Sequence, residues 1–197
     1  MAMNRKLKKR AVFLDRDGTL VHLKLGEYTT SPKQLRLLPG AATAVRALNR
    51  IGYSVVIITN QGVIAKGKTT HKEVDYLHAI LIDRLGKKGA RVDAVYYCPH
   101  HPEGKIPKYA IRCRCRKPEI GMITKAMKDM SIDMKKSFLI GDTTGDILTG
   151  HRAGLTTILV KTGYGGQDKK HDVKPDFVVR NLTAAVRYIK KHAQPQG

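Results

Sequence analysis

An apolar run near the start of the chain ends in two acids and a glycine: Ala11-Val12-Phe13-Leu14-Asp15-Arg16-Asp17-Gly18-Thr19. The run reads as a strand whose body is buried and whose carboxyl end opens into the crevice where α/β sheets bind ligands. Strand periodicity would aim Asp15 and Asp17 to the same side. Carboxylates that close repel each other unless a cation lies between them, so the pair asks for a hard ion such as Mg²⁺. One acid can then attack as a nucleophile while its neighbour donates a proton. Turn chemistry alone also favours Asp and Gly, so the pair needs company to mean catalysis.

The company lies downstream. Tyr53-Ser54-Val55-Val56-Ile57-Ile58-Thr59-Asn60 is a second apolar strand, ending in a hydroxyl and an amide able to donate to phosphate oxygens. Arg116-Lys117-Pro118 places two cations before a helical pattern, and Ser137-Phe138-Leu139-Ile140-Gly141-Asp142 is another strand ending in an acid, with Asp146 following. Nucleophile, acid, metal ligands and a neutralising lysine form the inventory for moving a phosphoryl group.

The three cysteines cluster as Cys98-Pro99-His100-His101-Pro102 and Cys113-Arg114-Cys115. Three thiolates and one imidazole make a closed tetrahedral zinc set, and spacing leaves His100 and His101 equally eligible. The ion would be structural. Because Cys115 precedes Arg116 and Lys117, it would also brace both cations against the phosphate site.

Strands and helices alternate along the chain, which predicts an α/β fold with a three-layer, doubly wound parallel sheet. Thr70 and Glu73 spell a capping box ahead of Val74, Leu77, Leu81 and Leu85 at helical spacing. The expected organisation is a basic arm over 1–10, one domain over 11–193 carrying the zinc loop at 98–115, and a tail at 194–197. Lys and Arg number 37 against 16 Asp and Glu, a net charge of +21. Such a balance attracts polyanions, and nucleic acid is a possible partner. Aromatic residues do not interleave with the cations as stacking platforms would, so nucleic acid is not the favoured one. No apolar run is long enough to span a bilayer, and the basic start lacks a signal peptide's apolar core. A cytoplasmic protein with reduced thiols, acting as a monomer, is expected.

Taken in order, the four chemical segments resemble the haloacid-dehalogenase superfamily of aspartate-nucleophile phosphohydrolases. The zinc loop narrows the resemblance to the heptose-bisphosphate phosphatase branch, with histidinol-phosphate phosphatases as cousins. The resemblance implies a Rossmann-like core, here with no insertion large enough for a cap domain, and it selects His100 to join Cys98, Cys113 and Cys115 on zinc. It implies that Asp15 attacks phosphorus and that Asp17 is the general acid and base. Mg²⁺ would be held by Asp15, the Asp17 carbonyl and Asp142, supported by Asp146. Thr59 and Asn60 would bind the phosphoryl group, Lys117 would neutralise it, and Arg116 would grip a second phosphate. One departure stands out: Thr143 follows Asp142 where that branch carries a basic side chain. Histidinol phosphate, a nucleic-acid 3′-phosphate, and a zinc-stapled binding module without activity are the rival readings.

Overall fold

The apolar runs at the centre pair side by side and are buried on both faces, the pattern of a parallel sheet covered by helices. In a computed structural model, which describes residues 8–24 and 26–192, the strands are β1 (Ala11–Leu14), β2 (Ser54–Asn60), β3 (Ala94–Cys98), β4 (Phe138–Gly141), β5 (Thr156–Val160) and β6 (Phe177–Val179). They form one six-stranded sheet in the order β3-β2-β1-β4-β5-β6. Every pairing is parallel. The helices are α1 (Ala41–Arg50), α2 (His71–Gly86), α3 (Gly121–Met130), α4 (Thr144–Arg152) and α5 (Leu182–His192).

Alternation along each strand divides the core into two layers. Val12, Leu14, Val55 and Ile57 pack with Leu48 of α1, Leu81 and Leu85 of α2, and Ile189 of α5. Ala11, Phe13, Val56 and Ile58 turn the other way, against Met122, Ile123 and Ala126 of α3. Fully burying one large apolar side chain contributes roughly 1.5–3 kcal/mol, so these layers carry most of the stability. The expected capping box starts α2, with the Glu73 amide donating to Thr70 Oγ1 at 3.2 Å and the Thr70 amide to Glu73 Oε2 at 2.8 Å. The sheet is the doubly wound one expected, and no cap domain interrupts the described residues.

β1 lies where the strand order reverses, so connections leave it to opposite sides and open a crevice at the carboxyl ends of β1, β2 and β4. Residues 1–7 of the basic arm and the tail at 194–197 lie outside the described residues. The arm's described end is packed rather than free. The Lys9 amide donates to Ser131 O at 2.9 Å, and the Arg10 guanidinium lies 4.6 Å above the Tyr53 ring.

Candidate active site

Asp15 follows β1 directly, Asp142 follows β4, and Asp146 lies in the first turn of α4. Their carboxylates meet within 4.8 Å of one another. Lys117 reaches in from the segment before α3, donating to Asp15 Oδ1 at 2.6 Å, Asp146 Oδ1 at 2.5 Å and Ile58 O at 3.0 Å. Three carboxylates against one ammonium leave two negative charges, the deficit that one divalent cation would fill. Asp142 Oδ1 is buried without a partner among the described residues, a second mark of a hard-cation site. Gly18 and Gly163 close on Asp142 so tightly that a Cβ at either would lie 2.2 or 2.1 Å from Oδ2.

Burial raises the Asp15 pKa to about 7, against the opposing charge of Lys117 and with Asp146 and Asp17 adding to the rise. Burial, then Asp15 and Asp146, push Asp142 to about 9. Burial opposes the charge on Lys117, but Asp146 and Asp15 outweigh it and raise the ammonium's pKa. In metal-free protein both acids therefore bind protons more tightly folded than unfolded. Between about pH 4 and pH 9 the folded state holds more protons, so its stability falls as pH rises through that window. The melting temperature of EDTA-treated protein is expected to drop between pH 6 and pH 9. Added Mg²⁺ is expected to raise it more at pH 9 than at pH 6, because the ion needs the ionised acids.

Asp15 and Asp17 do not face one cation with their side chains, contrary to the expectation from strand periodicity. The extended geometry stops at Leu14, and the chain turns through Gly18 at φ +88°. Asp17 instead accepts from Arg16 Nη2 at 2.6 Å, Arg16 Nε at 3.0 Å, Gln61 Nε2 at 3.3 Å and Thr29 Oγ1 at 3.1 Å. Burial alone would raise its pKa, but Arg16's charge and these hydrogen bonds hold it below the usual carboxylate range.

A second cluster sits at the carboxyl end of β3. Cys98 Sγ is 3.5 Å from Cys113 Sγ and 3.1 Å from Cys115 Sγ, and His100 Nδ1 is 3.3 Å from Cys115 Sγ. All four donor atoms lie within 4.8 Å of one another, as ligands at about 2.0–2.3 Å around one zinc would. His101, the alternative that spacing left open, turns away and accepts the Glu103 amide at 3.1 Å. Arg116 ties the loop to the crevice by donating to His100 O at 3.0 Å.

Known proteins resemble this chain in sequence and fold. A family model described as HAD-hydrolase-like matches residues 114–185. The D-glycero-β-D-manno-heptose-1,7-bisphosphate 7-phosphatase of Rhodopseudomonas palustris is 42% identical over 75% of this chain and 81% of its own. Its namesake in Escherichia coli K12 is 34% identical over 94% of this chain and 96% of its own. The crystal structure of D,D-heptose 1,7-bisphosphate phosphatase from B. bronchiseptica, complexed with magnesium and phosphate, superposes with a TM-score of 0.82. It shares 27% identity and covers 93% of this chain and 99% of that one. This chain belongs to the HAD-like hydrolases, in the heptose-bisphosphate phosphatase branch.

In this HAD-like hydrolase the remaining site residues behave unequally. Thr59 is buried at the end of β2, its Oγ1 accepting Gln61 Nε2 at 2.9 Å. The Asn60 side chain is committed at both ends to the Lys117 backbone, with Nδ2 to O at 3.1 Å and N to Oδ1 at 3.0 Å. It therefore positions Lys117, and its Nδ2 carries a second proton that these two bonds do not use. Asp146 serves two ends, taking Lys117 on Oδ1 while Oδ2 accepts the Thr143 amide and hydroxyl in a capping box.

Sequence reasoning missed the support of Asp17. Arg16 is almost fully buried, and its guanidinium meets Gln61 Oε1 at 3.0 Å and His78 Nε2 at 3.1 Å. Burial, then Arg16, lower His78 to about 4, so a neutral imidazole faces the guanidinium. The run Asp15-Arg16-Asp17 did carry a signal: a cation between two acids in a buried motif must find partners for all of its donors. A cleft of about 300 Å³ opens beside the acids, lined by Asn60, Arg116, Lys117, Thr143, Tyr164 and Lys170 among others. That is the small end of the usual range for ligand pockets, roughly 300–1,000 Å³.

Proposed function

We propose that the chain is a Mg²⁺-dependent phosphomonoesterase that removes the 7-phosphate of D-glycero-D-manno-heptose 1,7-bisphosphate. The observation that carries this reading is the buried group of Asp15, Asp142 and Asp146 around Lys117, with Asp142 Oδ1 left open. The substrate named for the relatives supports the choice of sugar.

Asp15 attacks phosphorus through a carboxylate oxygen, forming an aspartyl phosphate as the bond to the sugar oxygen breaks. Asp17 protonates the departing oxygen and then takes a proton from the water that cleaves the intermediate. The grip of Arg16, Gln61 and Thr29 keeps Asp17 ionised, the form required for that second half. A phosphoryl dianion beside it raises its pKa again and favours the protonated form required first. Thr59 offers its hydroxyl proton to the phosphoryl group, and Lys117 neutralises charge as it builds. Asp15, Asp142 and the Asp17 carbonyl would hold Mg²⁺, with Asp146 in support, and the bound ion would offset the gathered negative charge.

Zn²⁺ on Cys98, His100, Cys113 and Cys115 would hold the segment leading to Arg116 and Lys117. Cys113→Ser is expected to empty the site, lower the melting temperature by several degrees and cut turnover about tenfold. Metal content measured beside kcat checks this. A zinc-free variant with wild-type turnover would show that the loop does not position the cations.

The function is tested by phosphate release, with Mg²⁺ present, from heptose 1,7-bisphosphate, other sugar bisphosphates, histidinol phosphate and a 3′-phosphorylated oligonucleotide. The highest kcat/KM is expected for the heptose bisphosphate. Preference for the oligonucleotide or for histidinol phosphate would overturn the reading.

A further inference from the structure

A bisphosphate brings a second dianion that the reacting acids would repel, so the cleft must supply cations away from them. Lys117 is spent on Asp15 and Asp146. Arg116 gives one arm to His100 O. Thr143, the residue beside Asp142, is uncharged and folded back, its hydroxyl donating to Asp146 Oδ2 at 2.6 Å. The wall of the cleft at α4 therefore carries no cation of its own.

The loop between β5 and β6 brings one there. The Thr144 amide and hydroxyl donate to Asp168 Oδ1 and Oδ2 at 2.8 and 2.7 Å, and the His171 amide donates to Thr144 Oγ1 at 3.3 Å. These bonds anchor both ends of the stretch 168–171 to the first residue of α4. Between the anchors Lys169 adopts a left-handed conformation, φ +47°, unusual for a residue with a side chain. Lys170 and His171 thus line the same cleft as Arg116. Among the described residues Lys170 makes no ion pair, so its charge is available.

We propose that Lys170 is a specificity residue, holding with Arg116 the phosphate that is not transferred. The Thr144–Asp168 latch acts as its positioning device. A tethered ammonium fits a phosphate oxygen as a point charge, and Arg116 adds a planar fork. The inference rests on the bisphosphate reading above.

The test compares heptose 1,7-bisphosphate with heptose 7-phosphate, which presents the same reacting group without the second anion. Wild type is expected to prefer the bisphosphate. In Lys170→Met the ratio of the two kcat/KM values is expected to fall about tenfold, through the KM of the bisphosphate, and Lys170→Arg is expected to keep most of it. Asp168→Asn, which weakens the latch and leaves the ammonium in place, is expected to lower the ratio by less. An unchanged ratio in Lys170→Met, with wild-type preference intact, overturns this assignment and leaves the function standing. Equal losses on both substrates overturn it too, since they would mark a general structural role. Wild type without preference for the bisphosphate overturns the function along with it.

Discussion

Asp15→Asn is expected to lower turnover by at least about four orders of magnitude and to leave the fold intact. An amide keeps the shape of the carboxylate but lacks the anionic oxygen that would attack phosphorus. The structural cost is small for a definite reason. Burial and the neighbouring acids already push Asp15 up to about 7, so its ionised form is held against resistance. Removing that charge relieves the crowding with Asp142 and Asp146, while Lys117 keeps Asp146 Oδ1 and Ile58 O. At pH 8, without metal, the melting temperature of the variant is expected to equal or exceed that of wild type. Rapid acid quench with a ³²P-labelled substrate should trap an aspartyl phosphate in wild type and none in the variant. Turnover above one hundredth of wild type would rule out the covalent route.

What could be read in advance depended on the length of chain over which each contact forms. Asp15, Asn60 and Asp142 each end an apolar run, and a parallel sheet brings the ends of its strands together, so their convergence followed from strand order. The capping box of Thr70 and Glu73 spans three residues and needs no tertiary context. The partners of Asp17 were hidden for the opposite reason. Arg16 meets Gln61 across 45 positions, once β2 has paired with β1, and His78 across 62, once α2 has packed on the sheet. The hold of Asn60 on Lys117 was hidden too, because an amide at a strand end suits a phosphate and a neighbouring backbone equally well. The approach of Lys117, 57 residues on, supplies the backbone partner. His100 and His101 are equivalent by spacing, and the backbone path after Cys98 separates them. The latch of Thr144, Asp168 and His171 lies in a stretch without periodicity, where sequence carries little geometric information.

Lys117→Met is expected to cost turnover two or more orders of magnitude, on the scale of one lost transition-state charge donor. It also takes the only cation from a cluster in which the side chains of Asp15, Asp146 and Lys117 are 10%, 1% and 5% exposed. Breaking a buried ion pair this way typically costs about 3–5 kcal/mol, because the charge left behind has no partner. The cost should depend on pH in a definite direction. Without Lys117 the Asp15 pKa rises further, since the ammonium is the main influence lowering it. The acids then stay protonated to higher pH, and ionising them costs more stability. The melting temperature of the metal-free variant is therefore expected to lie nearest wild type at pH 5 and to fall below it increasingly toward pH 8. Added Mg²⁺ should return much of that stability, because a divalent cation neutralises the same carboxylates, and it should not return turnover. That split separates two roles that a single lysine could combine. Turnover recovered together with stability would mean that Lys117 serves only to hold the acids together. Turnover still depressed in a Mg²⁺-stabilised variant would place its ammonium on the phosphoryl group during transfer.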